Sequence, residues 1–219
     1  SLDRIKPSST RTDKVPNTSP TAASSGTDLN GMAAQVAADE IRSRLAQHLQ
    51  ERFGLPKEPE FADNHIKIGR HRVSFADACR SAWMARIPLS ATGHFATPGI
   101  GWDPKTGKGQ PFYYFTHGAS VSEVEVDTVT GAYHVTQVDI LHDVGKSINP
   151  ALDLGQIEGG FIQGMGWLTM EELVYSNTGQ LLTHAPSTYK IPAAADRPKV
   201  MNIRLWDGEN SRDTVYRSK

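Results

Sequence analysis

The sequence predicts an α+β fold, with helices packed on mostly antiparallel sheets, and three observations carry it. Two long stretches repeat apolar residues at helical spacing, around residues 29–45 and 154–168. Several shorter runs alternate apolar and polar residues and are separated by Gly-containing turns, as hairpins require. Helices and strands are not interleaved one for one, which argues against a parallel α/β sheet.

Taken in order, residues 1–26 are rich in Ser, Thr and Pro and read by composition as a linker. A helix follows from about Thr27 to Arg52, with Thr27 or Asp28 as N-cap candidates. Leu29, Ala33, Val36, Ala37, Ile41 and Leu45 form its apolar stripe, and Gly54 and Pro56 end it. HIKIGRHRVSF predicts a hairpin turning at Gly69, followed by a second helix from Phe75 to Arg86.

From Pro88 the chain is extended, with GIGWDPKTGKGQ as a turn-rich loop. PFYYFTHGASVSEVEVD and AYHVTQVDILHD predict two long strands joined through Thr130-Gly131. Val124, Val126, Val135, Val138 and Ile140 would line one packed face. The run Phe112–Phe115 reads as sheet core rather than a stacking platform. After Asn149-Pro150 comes a helix from Ala151 to Glu172, then a hairpin around Asn177-Thr178-Gly179 and a last strand, VMNIRLW. No internal repeat is visible. Two subdomain parts are expected, 1–87 and 88–219.

Composition excludes some function classes. Lys+Arg of 23 against Asp+Glu of 24 gives a net charge of −1, which disfavours a nucleic-acid or anionic-membrane partner. No apolar run approaches the roughly 20 residues that span a bilayer, and no signal peptide opens the chain. The single cysteine, Cys79, forms no internal disulfide, CxxC pair or thiolate cage, so a cytoplasmic setting is expected. Cys79 reads as a small buried apolar residue, with a reactive thiol as the alternative. Both ends are abrupt, as in an excised piece.

Two segments stand out chemically. In DLGQIEGGFIQGMGW, Leu154, Ile157, Phe161, Met165 and Leu168 cluster on one helix face. Gln156, Gly160, Gln163 and Trp167 share roughly the opposite face, where Glu, Lys or Arg would be usual. Glycine there costs about 1 kcal/mol relative to alanine. Either glycine admits a ligand close to the backbone while a neutral amide bonds it, or the face makes a tight helix contact. The second segment, Pro20–Gly26, offers small residues before a helix start. It is either an anion site on unpaired N–H groups or an ordinary Ser/Thr cap. His142-Asp143 reads as a turn fixed by Asx-type bonding. The eight histidines show no HExxH or similar ligand spacing, and no P-loop or GxGxxG is present. No catalytic residue and no metal ligand is assigned.

Five strings together carry a resemblance: KVPNTSPTAASSGTDLNG, PLSATGHF, PFYYFTHGASVSEVEVDTVTG, VDILHDVGKSINPALDLGQIEGGFIQGMGWLTMEEL and THAPSTYKIPAA, with the final YRSK. In this order they resemble the large, molybdopterin-binding subunit of bacterial xanthine dehydrogenases, in the xanthine oxidase family.

The resemblance implies a molybdenum–molybdopterin cofactor gripped through its pterin, with no side chain on the metal. It places one cofactor loop on Ala22, Ala23, Ser24, Ser25 and Gly26 and another contact on Gln156. Residues 1–26 are then a site segment rather than a linker. Implied activity is hydroxylation of xanthine or hypoxanthine with oxygen from water, the electrons leaving through iron–sulfur clusters and FAD to NAD in other parts of the enzyme.

The family's general base, a glutamate in an AVGEPP-like motif, follows the Ser-Lys of this chain, so the 219 residues alone are expected to be inactive. Implied partners are the remainder of the large subunit, a small iron–sulfur/flavin subunit and a purine substrate. A related aldehyde or N-heterocycle hydroxylase, or a non-catalytic cofactor-binding or assembly module, are the alternatives.

Overall fold

The computed structural model describes residues 2–9, 11, 13 and 25–219. It forms two compact units, Ser1–Pro98 and Gly99–Lys219.

In the first unit, α1 (Gly26–Phe53) is the dominant element. Its C-terminus follows the sequence: Gly54 turns left-handed at φ 63° and its N–H bonds the carbonyls of Gln50 and Glu51. The N-cap is Ser25, not Thr27 or Asp28, and its side chain makes no capping bond. Three short strands follow, β1 (Glu60–Ala62), β2 (His65–Ile68) and β3 (His71–Ser74), in an antiparallel meander. β1 went unforeseen because EFADNH looks like loop. Asp63 and Asn64 both adopt positive φ (48° and 60°), which turns the chain within two residues and creates the pairing.

Ser74 caps α2 (Phe75–Met84), its Oγ accepting from Asp77 N at 3.1 Å. α2 stops two residues short of the expected Arg86, which has φ 62°.

Leu49, Ile66 and Ala78 form the first unit's core, with Phe53, Phe61 and Val73 packed against it. Only the C-terminal half of the predicted α1 stripe is used, since Leu45 is buried while Val36 is 43% exposed. The meander and α2 are too short to cover seven helical turns.

An extended strap, residues 88–97, crosses α1 instead. Arg44 anchors it by donating from Nη1 to the carbonyls of Pro88 (3.1 Å) and Ser90 (2.8 Å). Gly93 approaches the helix so closely that a Cβ there would lie 1.9 Å from the Ala33 carbonyl oxygen. Cys79 is half-buried on α2, and burial pushes its thiol pKa up, away from the reactive thiolate.

The second unit opens with a small hairpin, β4 (Gly101–Asp103) and β5 (Lys108–Gln110). Its main sheet is β6 (Gly118–Val126), β7 (Tyr133–His142) and β8 (Val200–Leu205) in that order. β6 and β7 are antiparallel; β8 returns parallel to β7 after α3 (Pro150–Thr169), which packs beside β8. The α+β expectation therefore holds.

Several local expectations do not. Val124, Val126, Val135, Val138 and Ile140 do share one face, as expected, but that face is packed only in part. Val135 and Val138 are three residues apart, but Thr136 is an extra, unpaired residue in β7, so Val135 opposite Val124 and Val138 opposite Ser122 stay on the same side. Val138 is fully buried, whereas Val124 and Val126 are about half-exposed. The Phe112–Phe115 run lies outside any strand, with Phe112 and Phe115 exposed and edge-on to each other. The hairpin at Asn177–Gly179 reduces to a single bridge, Tyr175 to Leu181. α3 ends at Thr169 rather than Glu172, and Leu168, one residue from that end, is 74% exposed instead of buried. No helix of the described residues is long and apolar enough to cross a membrane.

The β6–β7 turn carries a pH-dependent element. The Asp127 carboxylate accepts from Thr130 Oγ1 (2.7 Å), Val129 N (2.8 Å) and Thr130 N (3.3 Å), which holds its pKa below the ordinary carboxylate value. A lowered folded-state pKa gives stability that is present above the unfolded value, roughly 3.9, and lost as pH falls through the folded value. Exchange protection of the Val129 and Thr130 amides should fall across that window in the wild type. In Asp127→Asn the step should be absent, as amide exchange by NMR will read directly.

Candidate cofactor-contacting helix

α3 starts where its sequence says a helix should. Asn149 is the N-cap, Oδ1 accepting from Leu152 N at 3.4 Å, Pro150 occupies the first turn, and Asp153 lies near the positive end of the helix. Ser147 donates to Asp153 Oδ2 at 2.5 Å and so ties the entering chain to that turn. At the other end, Gly166 O accepts from the N–H groups of Met170 and Glu171. The Tyr189 hydroxyl donates to Glu171 Oε2 at 2.5 Å; that bond, with burial and the carboxylate's charge, raises the tyrosine pKa.

One face of α3 is covered and the other is open. Leu154, Ile157, Phe161 and Met165 are partly buried, as expected. Gln156, Gly160, Gln163 and Trp167 are exposed, so the opposite face has the composition and the exposure read from the sequence.

The glycines show which part of that face packs within this chain. Gly166 meets a structural need, since a Cβ there would sit 2.6 Å from Pro192. Gly155, Gly159, Gly160 and Gly164 meet none: a Cβ on any of them finds no atom within 4 Å among the described residues. Nothing described in this chain makes the tight contact that would account for four glycines. They leave a bare backbone surface beside two neutral amides, Gln156 and Gln163, each able to donate and accept. Such a surface fits a flat polar heterocycle that must lie close to the helix.

The second predicted segment is only partly in view. Ala22, Ala23 and Ser24 lie outside the described residues. Ser25 precedes α1, its carbonyl accepting from Leu29 N at 2.9 Å, and Gly26 is the first helical residue. Asp28 is buried in the first turn. Ser25 and Gly26 belong to the first unit, Gln156 to the second. The His142-Asp143 expectation is met, with Asp143 Oδ1 accepting from Gly145 N at 2.8 Å.

A family profile described as a molybdopterin cofactor-binding domain matches residues 1–198. The chain belongs to the molybdopterin cofactor-binding domain family. This molybdopterin domain is 44% identical to a xanthine dehydrogenase of rice over all of its length. It is 43% identical to the xanthine dehydrogenase of Drosophila pseudoobscura pseudoobscura over all of its length. It is 45% identical to the xanthine dehydrogenase/oxidase of Gallus gallus over 99% of its length. It spans 15% of the length of each of these relatives.

Among solved structures, quinoline 2-oxidoreductase from Pseudomonas putida 86 superposes with a TM-score of 0.70 at 23% identity. That match covers 87% of this chain and 24% of the other. The aldehyde oxidoreductase of Desulfovibrio gigas gives 0.69 at 22% identity, over 95% and 20% of the two chains. These structural likenesses establish the fold of the molybdopterin domain.

Single-sequence reasoning missed two backbone contacts. One is Gly93 against α1. The other is a knot before α3, where a Cβ on Gly145 would lie 2.7 Å from the carbonyl oxygens of Arg217 and Lys219. A glycine in PLSATGHF and another in HDVGK were the available signals, but neither names the chain that approaches it.

Proposed function

We propose that the chain is one part of the cofactor cradle of a molybdenum hydroxylase that oxidises xanthine or hypoxanthine with oxygen from water, in purine catabolism. The observation that carries this reading is identity of 41–45% to xanthine dehydrogenases over 97% or more of the chain. The open glycine–glutamine face of α3 supports it independently.

In this reading Gln156 donates and accepts hydrogen bonds at the pterin while the glycines keep side chains out of its way. Ala22, Ala23, Ser24, Ser25 and Gly26 form a second contact loop, whose small side chains expose N–H groups at the start of α1 to the anionic part of the cofactor. The bound group supplies two-electron oxidation at an electron-poor carbon, and the chain supplies orientation and exclusion of competing contacts.

Iron–sulfur clusters, FAD and NAD belong in this proposal to other parts of the enzyme. The remainder of the large subunit and a small iron–sulfur/flavin subunit are its partners, and the setting is cytoplasmic. We assign the pterin loop to a part spanning 1–87 and Gln156 to a part spanning 88–219. Because 219 residues are 15% of the relatives' length, the chain alone is expected not to turn over substrate.

The test is Gln156→Ala in the intact gene product, with pterin and molybdenum quantified per chain. Loss of one or two hydrogen bonds to a polar cofactor, about 1–2 kcal/mol, should lower affinity roughly 5- to 30-fold. Xanthine hydroxylation in 18O-labelled water should fall with loading. Wild-type loading in Gln156→Ala would overturn the assignment of Gln156.

A further inference from the structure

Immediately before α3 the chain is tied into a backbone knot that the Gln156 reading does not use. Lys146 N donates to Arg217 O at 2.9 Å, and Lys219 N donates to Val144 O at 2.5 Å. These two bonds make Gly145 and Ser218 an antiparallel bridge. Asn210 adds its N–H to the same Arg217 carbonyl at 3.0 Å.

The far strand of the knot is itself held shut. Thr214 Oγ1 donates to Ser218 O at 2.6 Å and Ser218 Oγ donates to Val215 O at 2.7 Å, with Thr214, Val215 and Ser218 all buried. Tyr216 and Arg217 sit at φ 51° and 59°, a left-handed conformation that side-chain-bearing residues adopt at a cost. The two residues are flanked by the Thr214–Ser218 and Ser218–Val215 bonds, which close the turn around them.

We propose that this knot, through Gly145, Thr214 and Ser218, is a positioning device that fixes the rotational register of α3 and thereby aims Gln156. The inference rests on α3 being the cofactor-contacting helix. Only four residues separate Gly145 from Pro150, and two of them are pinned as well. Ser147 is bonded to Asp153, and Asn149 caps the helix.

An α-helix turns 100° per residue, so a one-residue slip at its start would swing Gln156 about a quarter-turn off its face. Gln156 lies seven residues beyond the cap, roughly 10 Å along the axis. It touches none of the knot through any bond described above. The knot would therefore act on it only through the helix's starting point.

The experiment compares Gly145→Ala, Thr214→Val and Thr214→Ser in the intact gene product. Gly145→Ala places a methyl group against the Arg217 and Lys219 carbonyls; Thr214→Val removes the hydroxyl at nearly constant shape, and Thr214→Ser restores it. Amide exchange in the first two turns of α3 should accelerate about ten-fold in Gly145→Ala and Thr214→Val, with β6 and β7 unchanged. Molybdenum and pterin content should fall toward the Gln156→Ala level, the unchanged exchange of β6 and β7 showing that the unit has not unfolded. Thr214→Ser should behave as wild type.

Unchanged exchange in α3 in both variants would overturn the inference even if Gln156→Ala loses cofactor. So would altered exchange with full loading under those conditions. If Gln156→Ala loads normally while the knot variants loosen α3, the cofactor reading fails and the register function stands. Thr214→Val covers the case in which Gly145→Ala does not fold.

Discussion

Gly93→Ala should unseat the strap from α1 and destabilise the first unit by about 2–4 kcal/mol, the range of severe steric replacements. The new Cβ would meet the Ala33 carbonyl oxygen at 1.9 Å, the Ala37 nitrogen at 2.8 Å and the Ala33 carbonyl carbon at 2.9 Å. All three are backbone atoms of a regular helix, so none can swing aside as a flexible side chain would. Relief requires either a break in the helix or a shift of the whole strap. A shift would pull Pro88 and Ser90 away from Arg44. Urea unfolding followed by far-ultraviolet circular dichroism reads the midpoint. A midpoint equal to wild type would mean that strap and helix do not touch as described.

Leu49→Ala is expected to cost a similar amount, about 2–5 kcal/mol, by a different route. Leu49 is fully buried and packs in the same cluster as Ile66 and Ala78, joining α1, the β1–β3 meander and α2. The cluster is small, so few neighbours can relax into the space left behind. Against a total stability of about 5–15 kcal/mol for an ordinary domain, that loss is large. Thermal unfolding with a probe on Trp83 fluorescence should show the first unit melting earlier. The second-unit transition, followed by amide exchange on β7, should not move. A shared shift of both would mean that the two units unfold as one.

The Gly54 end of α1, the Phe75 start of α2 and the Asn149-Pro150 turn before α3 were all legible in the sequence because they are local. Each depends on residues within one turn of one another, and cap chemistry is written in residue type. The glycine–glutamine face of α3 was legible for the same reason: helical periodicity sorts side chains without any partner. What that face meets was not. Packing against another helix and approach by a ligand leave the same glycines in the sequence. The structure adds that no described residue of this chain packs on Gly155, Gly159, Gly160 or Gly164, in contrast to the crowding at Gly166.

The expectations that failed did so in burial rather than in spacing. The valine stripe of β6 and β7 does lie on one face, held there by the extra residue Thr136, but only Val138 on it is fully buried while Val124 and Val126 are about half-exposed. Leu168 matched the helical period but sits one residue from the end of α3 and is exposed, so periodicity placed it correctly on the helix and wrongly in the core.

The sequence by itself determined the α+β class, the helix boundaries to within a few residues, and the glycine–glutamine composition of the α3 face that carries Gln156. Tertiary structure alone decided which glycines are there for close backbone approach. Gly93 meets a helix some 60 residues earlier in the chain, and Gly145 meets carbonyls some 70 residues later. Helix propensity and capping act over a single turn, whereas a steric contact of this kind depends on which distant backbone the fold delivers.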